Sequence, residues 1–430
     1  YWSDLITPQT LLVPDAGELV VPLPAASARR SGHYIVVASR GPLYELSAAR
    51  ATVHAGETAE VRLTLTRAVD PGDYAAVDFA QRTAFSPCSP LTLAERSLLN
   101  RCEGLDGAVV LQGDTRLQNP FGGQQPDPPL LSALTAATPH TGRISVLVAP
   151  QDARRAQRGL PPPDEWGEDA EQVFGTLRRH LPRSLIQVDA PLHEQEGYFR
   201  LTGFRPGATP RRSFSVHFDA VRLLTGNDTA QAEETLPCWF DLLGRGRRAF
   251  VTAGSESRRV GCACRMGART WMHCPRGPEG PSHEELRRAV LNLGRRPNAF
   301  VSNGPLLRVS VEGEPPGSLV HARAGKVSVD VRVDAPSWMS VKQATVYRNG
   351  EAVEVIPAGR RQGVVLLERR FAVDAPTDCW LVVLVRGEQG MAPIYCDDRG
   401  VGTAAFAVTN PIWVDADGDG VCRPRGARAH

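Results

Sequence analysis

The sequence predicts an α/β protein, with an α/β barrel in the middle of the chain and β-sandwiches on both sides. Three observations lead there. From about residue 73 to 302, short apolar runs alternate with stretches of helical spacing, the signature of a sheet covered by helices. Outside that span apolar residues alternate singly with polar ones, the period of a half-buried strand. The 430 residues correspond to two to four domains at roughly 100 to 200 residues each, ample for a large core.

The elements follow in order. Residues 1–72 carry GELVVPLP, HYIVVASRG and EVRLTLTRAV, punctuated by Gly and Pro turns, and predict a small antiparallel sandwich, cut short at its start. Residues 73–302 hold the strand candidates GAVVLQG, RISVLVAP, RSLIQVDAP, FDAVRLL and RRAFVTAGS. Helix candidates LTLAERSLLNRCEG, DAEQVFGTLRRHL and SHEELRRAVLNLG lie between and after them. NPFGGQQPDPP and RGLPPPDEWGED are too rich in Pro and Gly to continue a helix or central strand and read as surface loops. Residues 303–414 return to strands, LLRVSVEG, KVSVDVRVDAP, KQATVYRNGEAVEVI, VVLLERRFAV and CWLVVLVRG, with RNGE suited to a type I′ hairpin. Residues 415–430 form an acidic turn and tail.

Composition excludes several classes. A net charge of +2, with basic and acidic residues interspersed, gives no basic stripe for nucleic acid. No apolar run approaches the roughly 18 residues of a membrane-spanning helix. The chain starts at Tyr1 rather than Met, the mark of a processed or trimmed product. Its nine cysteines are more than a cytosolic protein needs and favour an exported protein: periplasmic, surface-bound or secreted. Cys88 with Cys102, Cys274 with Cys262 or Cys264, and Cys396 with Cys422 are candidate disulfides. Cys262, Cys264, His273 and Cys274 gather zinc-type donors, but their spacing fits no common zinc knuckle, so a disulfide is preferred there. Ser255, in AGSES, lacks the glycine that follows a nucleophile elbow.

The final turn places Asp415, Asp417 and Asp419 at alternating positions of a calcium loop. The twelfth position is Gly426 instead of the bidentate Glu such a loop uses, so calcium is a minor expectation beside an acidic solvated turn, and no other cofactor is expected.

Several phrases occur in an order that resembles the CehA/McbA-type metallohydrolases of the PHP (polymerase and histidinol phosphatase) superfamily. They are HYIVVASRGPLYEL, DYAAVDF, EGLDGAVVL, EGYFRLTGF, FDAVRLLTG, CWFDLLGRG with ARTW, SNGPLL, VDAPSW and AFAVTNPIWVDADGDG, and they span nearly the whole chain. The resemblance implies a distorted (β/α)7 barrel whose strand ends converge His and Asp on divalent metals that activate water for hydrolysis, chiefly of phosphoesters. Such a site needs neutral imidazole and ionised carboxylate, because only lone-pair donors hold the metal.

Position by position, those donors are missing. The family's D-F-H-x-H-T falls on Asp78 to Thr83, with Ala80 and Arg82 at the histidines, and Cys88 replaces the next carboxylate. The T-D-H-N phrase falls on Leu111 to Asp114, with Gln112 and Gly113 at the Asp and His. G-H-F-N is most like Gly142 to Ser145, placing Arg143 at a histidine, and N-H-P is most like Asp189 to Pro191, placing Ala190 at another. S-D-x-H falls on Ser255 to Arg258, leaving Glu256 and Arg258, and Arg222 takes a position where an acid is common. Guanidinium keeps its proton and offers no lone pair, so it repels a dication.

Two roles follow for Arg82, Arg143 and Arg258. They pair with Asp78, Asp114 and Glu256 as internal cross-links, or they form a pocket for an anionic ligand such as phosphate, sulfate or carboxylate. The expectation is a catalytically inactive relative used for binding or assembly, its partner an unknown protein or an anionic ligand. The alternative is a metal-dependent phosphoester hydrolase with an atypical site drawing on Glu256, Asp114, Asp189 or nearby histidines.

Overall fold

The computed structural model describes residues 11–14, 16–23, 32–83, 89–113, 116–117, 126–209, 213–260, 266–275, 277, 280–396 and 401–424. Cys88, Asp114, Cys262, Cys264 and Gly426 lie outside the described residues, so the expectations placed on them are not addressed.

The N-terminal segment contributes β1 (His33–Ala38) and β2 (Ser47–Thr52), a two-stranded antiparallel sheet. Of the sandwich expected over residues 1–72, only this pair forms a ladder among the described residues. GELVVPLP is not strand over its described part, and EVRLTLTRAV forms no ladder, only a single bridge, Tyr44 to Arg67. Alternation alone does not make a strand; the backbone also needs a partner to bond. The segment is instead fastened to the loop that follows Asp334 in the C-terminal part. Glu45 accepts hydrogen bonds from the backbone and hydroxyl of Ser337, and the Trp338 indole donates to the Tyr44 carbonyl at 2.9 Å.

Seven strands follow: β3 (Tyr74–Gln81), β4 (Gly107–Gly113), β5 (Leu130–Thr138), β6 (Gly142–Leu147), β7 (Leu185–Val188), β8 (Ala220–Thr225) and β9 (Phe250–Gly254). Between them lie α1 (Leu93–Cys102), α2 (Ala153–Arg158), α3 (Ala170–His180), α4 (Tyr198–Leu201) and α5 (Thr229–Gly244). Neighbouring strands run parallel except β6, which is antiparallel to both β5 and β7. The row curls back on itself. At the carboxyl ends of β9 and β3, Glu256 N–H donates to the Ala80 carbonyl at 2.8 Å and Arg82 N–H to the Ser257 carbonyl at 3.1 Å, with a parallel bridge from Gln81 to Ser257. One apolar cluster draws Val77, Val109, Ala133, Leu147, Leu185, Ala220 and Phe250, one from each of the seven strands, and is capped by Leu286 and Val290 of α6 (His283–Asn292). A shared core of that kind is what a ring of strands encloses.

The sheet does not stop at the barrel. β10 (Arg269–His273) pairs with β3, β11 (Ala299–Ser302) with β10, and β19 (Ala404–Thr409) with β11. The C-terminal part is a two-sheet sandwich. One sheet is β12 (Leu306–Val311), β14 (Lys326–Asp334) and β17 (Val365–Asp374). The other holds β13 (Leu319–His321), β15 (Gln343–Arg348), β16 (Glu351–Pro357), β18 (Cys379–Gly390), β19 and β20 (Ile412–Asp415). Val329, Val331 and Val333 of β14 share a core with Leu381, Val383 and Val385 of β18, the inward-facing alternate residues of facing sheets. The RNGE turn joins β15 to β16, with Asn349 and Gly350 both at positive φ, as a type I′ turn needs.

The disulfide expected between Cys396 and Cys422 is not formed. The Cys422 thiol lies against β18 instead, 3.2 Å from the Cys379 carbonyl, and burial pushes it up to about 12. Among the described residues no helix is long and apolar enough to cross a membrane.

Candidate functional site

The period of the strands builds the upper barrel. Side chains two residues apart share a face, and along four neighbouring strands that face passes from apolar to polar toward the rim: Leu147, Ser145, Arg143 on β6; Leu185, Gln187, Asp189 on and after β7; Ala220, Arg222 on β8; Phe250, Thr252 on β9, with Glu256 beyond it. The middle layer is hydrogen-bonded across strands. Thr252 Oγ1 donates to Gln187 Oε1 at 2.6 Å, and Gln187 Nε2 donates to Ser145 Oγ at 3.1 Å and Asp189 Oδ1 at 2.8 Å.

The top layer is a charge cluster around Glu256. Arg222 Nη2 bonds its Oε1 at 2.7 Å, Arg82 Nη2 its Oε2 at 3.2 Å, and Arg143 Nη1 its Oε1 at 3.5 Å; Arg258 Nη2 stands at 3.9 Å. Arg222 is fully buried, Arg82 and Glu256 are each 7% exposed, Arg143 17% and Arg258 45%. Arg222 Nη1 also faces Asp189 Oδ1 at 3.5 Å, and Arg143 Nη2 pairs with Glu196 at 3.1 Å. Burial alone would raise the Glu256 carboxyl; the combined fields of Arg222, Arg82, Arg143 and Arg258 outweigh it and hold the group down at about 2. Glu256 is therefore ionised at any ordinary pH. It sits at φ 53°, left-handed backbone that few non-glycine residues adopt.

The cluster corrects the expected pairings. The arginines do not share out Asp78 and Glu256; all four converge on Glu256. Asp78, fully buried, takes hydrogen bonds from the backbones of Ala80 and Ser255 at 2.9 Å, the Ser255 hydroxyl and Gln81 Nε2, and burial raises its carboxyl. Ser255 thus serves as a hydrogen-bond partner of Asp78. Ala80 is buried at the β9 seam, and Ala190 follows β7 at φ 40°. Gln112 donates to Ser132 at 2.9 Å, and Gly113 ends β4. Arg222, outside the expected trio of arginines, is the most buried cation of the group. The signal lies in its neighbours: Arg222 stands between Ala220-Val221 and Leu223-Leu224, and a cation buried with them must find a carboxylate in the interior.

Among the described residues the four cations meet Glu256, Asp189 and Glu196, and Arg222 also lies in the field of Asp78. Arg222 Nε and Nη1, Arg143 Nε and Asp189 Oδ2 are buried without a hydrogen bond. Among the described residues the layer therefore holds spare guanidinium donors, a setting that suits an anion and opposes a dication.

In the C-terminal turn Asp415 accepts from Gly418 N–H at 2.7 Å and Gly420 N–H at 2.8 Å. Asp419 is drawn to Arg423, while Asp378 joins Asp415 and Asp417 with carboxylate oxygens within 4.8 Å of one another. The acidic trio is therefore Asp378, Asp415 and Asp417.

No protein-family model matches the chain, and no curated protein matches it. Among solved structures, a two-domain protein from Bacteroides vulgatus containing a predicted PHP-like metal-dependent phosphoesterase is 10% identical, covering 82% of this chain and 100% of that one, with a TM-score of 0.39. PsfC from Pseudomonas syringae is 11% identical over 50% of this chain and 88% of its own, with a TM-score of 0.35. Likenesses of that size assign neither a family nor an activity.

Proposed function

We propose that the chain is a non-hydrolysing relative of the PHP metallohydrolases that works outside the cytoplasm by binding an anionic group at the barrel mouth. The observation that carries this reading is the capture of Glu256 by Arg82, Arg143 and Arg222 within 3.5 Å. A catalytic dication does not fit these residues. Ala80, Ala190 and the arginines offer no lone pair, and both Glu256 oxygens already take guanidinium N–H groups. The same donors suit a phosphate, sulfate or carboxylate, which guanidinium binds through paired N–H groups. The placement outside the cytoplasm rests on the number of cysteines in the sequence, although Cys238, Cys379, Cys396 and Cys422 are free thiols.

The test is direct. The purified full chain, incubated with zinc, manganese or iron(II) and desalted, is expected to retain far less than one metal per chain and to leave p-nitrophenyl phosphate intact. Inorganic phosphate is expected to raise its melting temperature, and Arg143→Gln to abolish that rise. Stoichiometric metal with turnover would overturn the reading in favour of a phosphoester hydrolase.

A further inference from the structure

A second site lies away from the barrel mouth, in a cleft of about 640 Å³ where α5 and the loop after α4 face the β15–β16 hairpin. Its size falls in the range of small-ligand sites, and it sits where barrel and sandwich meet, a common place for them. Phe240 and Tyr347 line it as half-buried rings with centroids 5.2 Å apart, and Phe240 rests 5.1 Å from Trp380.

The polar lining is already paired within itself. Arg386 Nε bonds Glu233 Oε1 at 2.7 Å and its Nη2 bonds Oε2 at 3.4 Å; Arg245 Nε bonds Asp241 Oδ2 at 2.6 Å. Glu351 adds one exposed carboxylate at the rim. The two arginines inside the cleft are thus neutralised by Asp241 and Glu233 while Glu351 stands solvated at the rim, and the paired groups stay fixed in direction.

This pattern selects a ligand by elimination. An anion meets a carboxylate beside each arginine, a cation meets an arginine beside each paired carboxylate, and a hydrocarbon would strip water from both ion pairs without replacing it. A neutral ring with apolar faces and vicinal hydroxyls suffers none of these costs. Its faces lie on Phe240 and Tyr347, and its hydroxyls bridge the pre-oriented Arg–carboxylate pairs. We propose that this cleft binds a neutral oligosaccharide.

The full chain is titrated with maltotriose, cellotriose, xylotriose and tri-N-acetylchitotriose up to about 10 mM, the weak end of a specific site, following tryptophan fluorescence, to which Trp380 beside Phe240 gives access. At least one sugar is expected to give a saturable change that Tyr347→Ala and, separately, Glu233→Gln weaken about tenfold or more, a loss of roughly 1.4 kcal/mol. Glu233 is exposed, so the second variant keeps the fold. Inorganic phosphate is expected not to compete, which separates this cleft from the barrel mouth. No saturable change with any of the four sugars, or affinity that survives both substitutions, overturns the proposal.

Discussion

At the scale of single residues, one carboxylate organises the top of the barrel. Removing one partner of a buried ion pair leaves an uncompensated charge and costs about 3–5 kcal/mol. Glu256→Ala, which strips the partner from Arg82, Arg143 and Arg222 together, is expected to destabilise the chain by at least that much in denaturant titration. The pH dependence has two opposed parts. Glu256, held at about 2, contributes stability that is fully present above the usual carboxylate range and is lost as the pH falls toward 2. Glu103 behaves oppositely. It is buried beside Arg269 and Tyr395, and burial raises its carboxyl to about 7 against the opposing pull of Arg269. The unfolded chain releases that proton first, so this contribution is complete below the usual carboxylate range and is lost as the pH climbs to 7, on the order of 3 kcal/mol in all. Glu103→Gln is expected to flatten the decline between about pH 4.5 and 7 when denaturation midpoints are followed against pH. An unchanged slope would assign that decline elsewhere.

At the scale of elements, closure of the ring rests on a close approach that only glycine allows. A Cβ on Gly254, the last residue of β9, would stand 2.6 Å from the Ala80 Cβ and backbone nitrogen. Gly254→Ala must therefore push β9 from β3 just below the Glu256–Ala80 bond, and a loss of about 1–3 kcal/mol in thermal unfolding is expected. α1, α3 and α6 were legible because their starts are written locally, whereas α5, which carries Pro237 inside it, was not among the expected helices. Thr92 with Glu95 and Ser282 with Glu285 form reciprocal capping boxes at α1 and α6, inside stretches whose spacing already predicts helix. Ser282→Ala is expected to cost about 1 kcal/mol by the same measurement. EVRLTLTRAV, by contrast, has a strand's alternation but little of a strand's pairing. The periodicity is a property of the segment; the partner is not.

At the scale of the whole molecule, barrel and sandwich share one hydrogen-bonded sheet, continuous from β9 along the barrel row to β3 and on through β10, β11 and β19 into β18. A chain ended after Ser302 would lose β19 and leave β11 an open, fully buried-type edge, so it is expected to aggregate, while the full chain unfolds in one transition by circular dichroism and fluorescence alike. Separate transitions would show that the ladder does not couple the two parts. The sequence by itself determined the α/β class and the β-rich flank after residue 303, because residue type and period are local and survive without coordinates. Only the tertiary structure decided that four arginines from β6, β8 and the segments after β3 and β9 meet on Glu256, and that the sheet runs unbroken into the sandwich. Ion pairs and ladders depend on which backbones lie side by side after some 170 residues of chain have closed a ring, as between Arg82 and Glu256, and that proximity is fixed by the packing of all seven strands together.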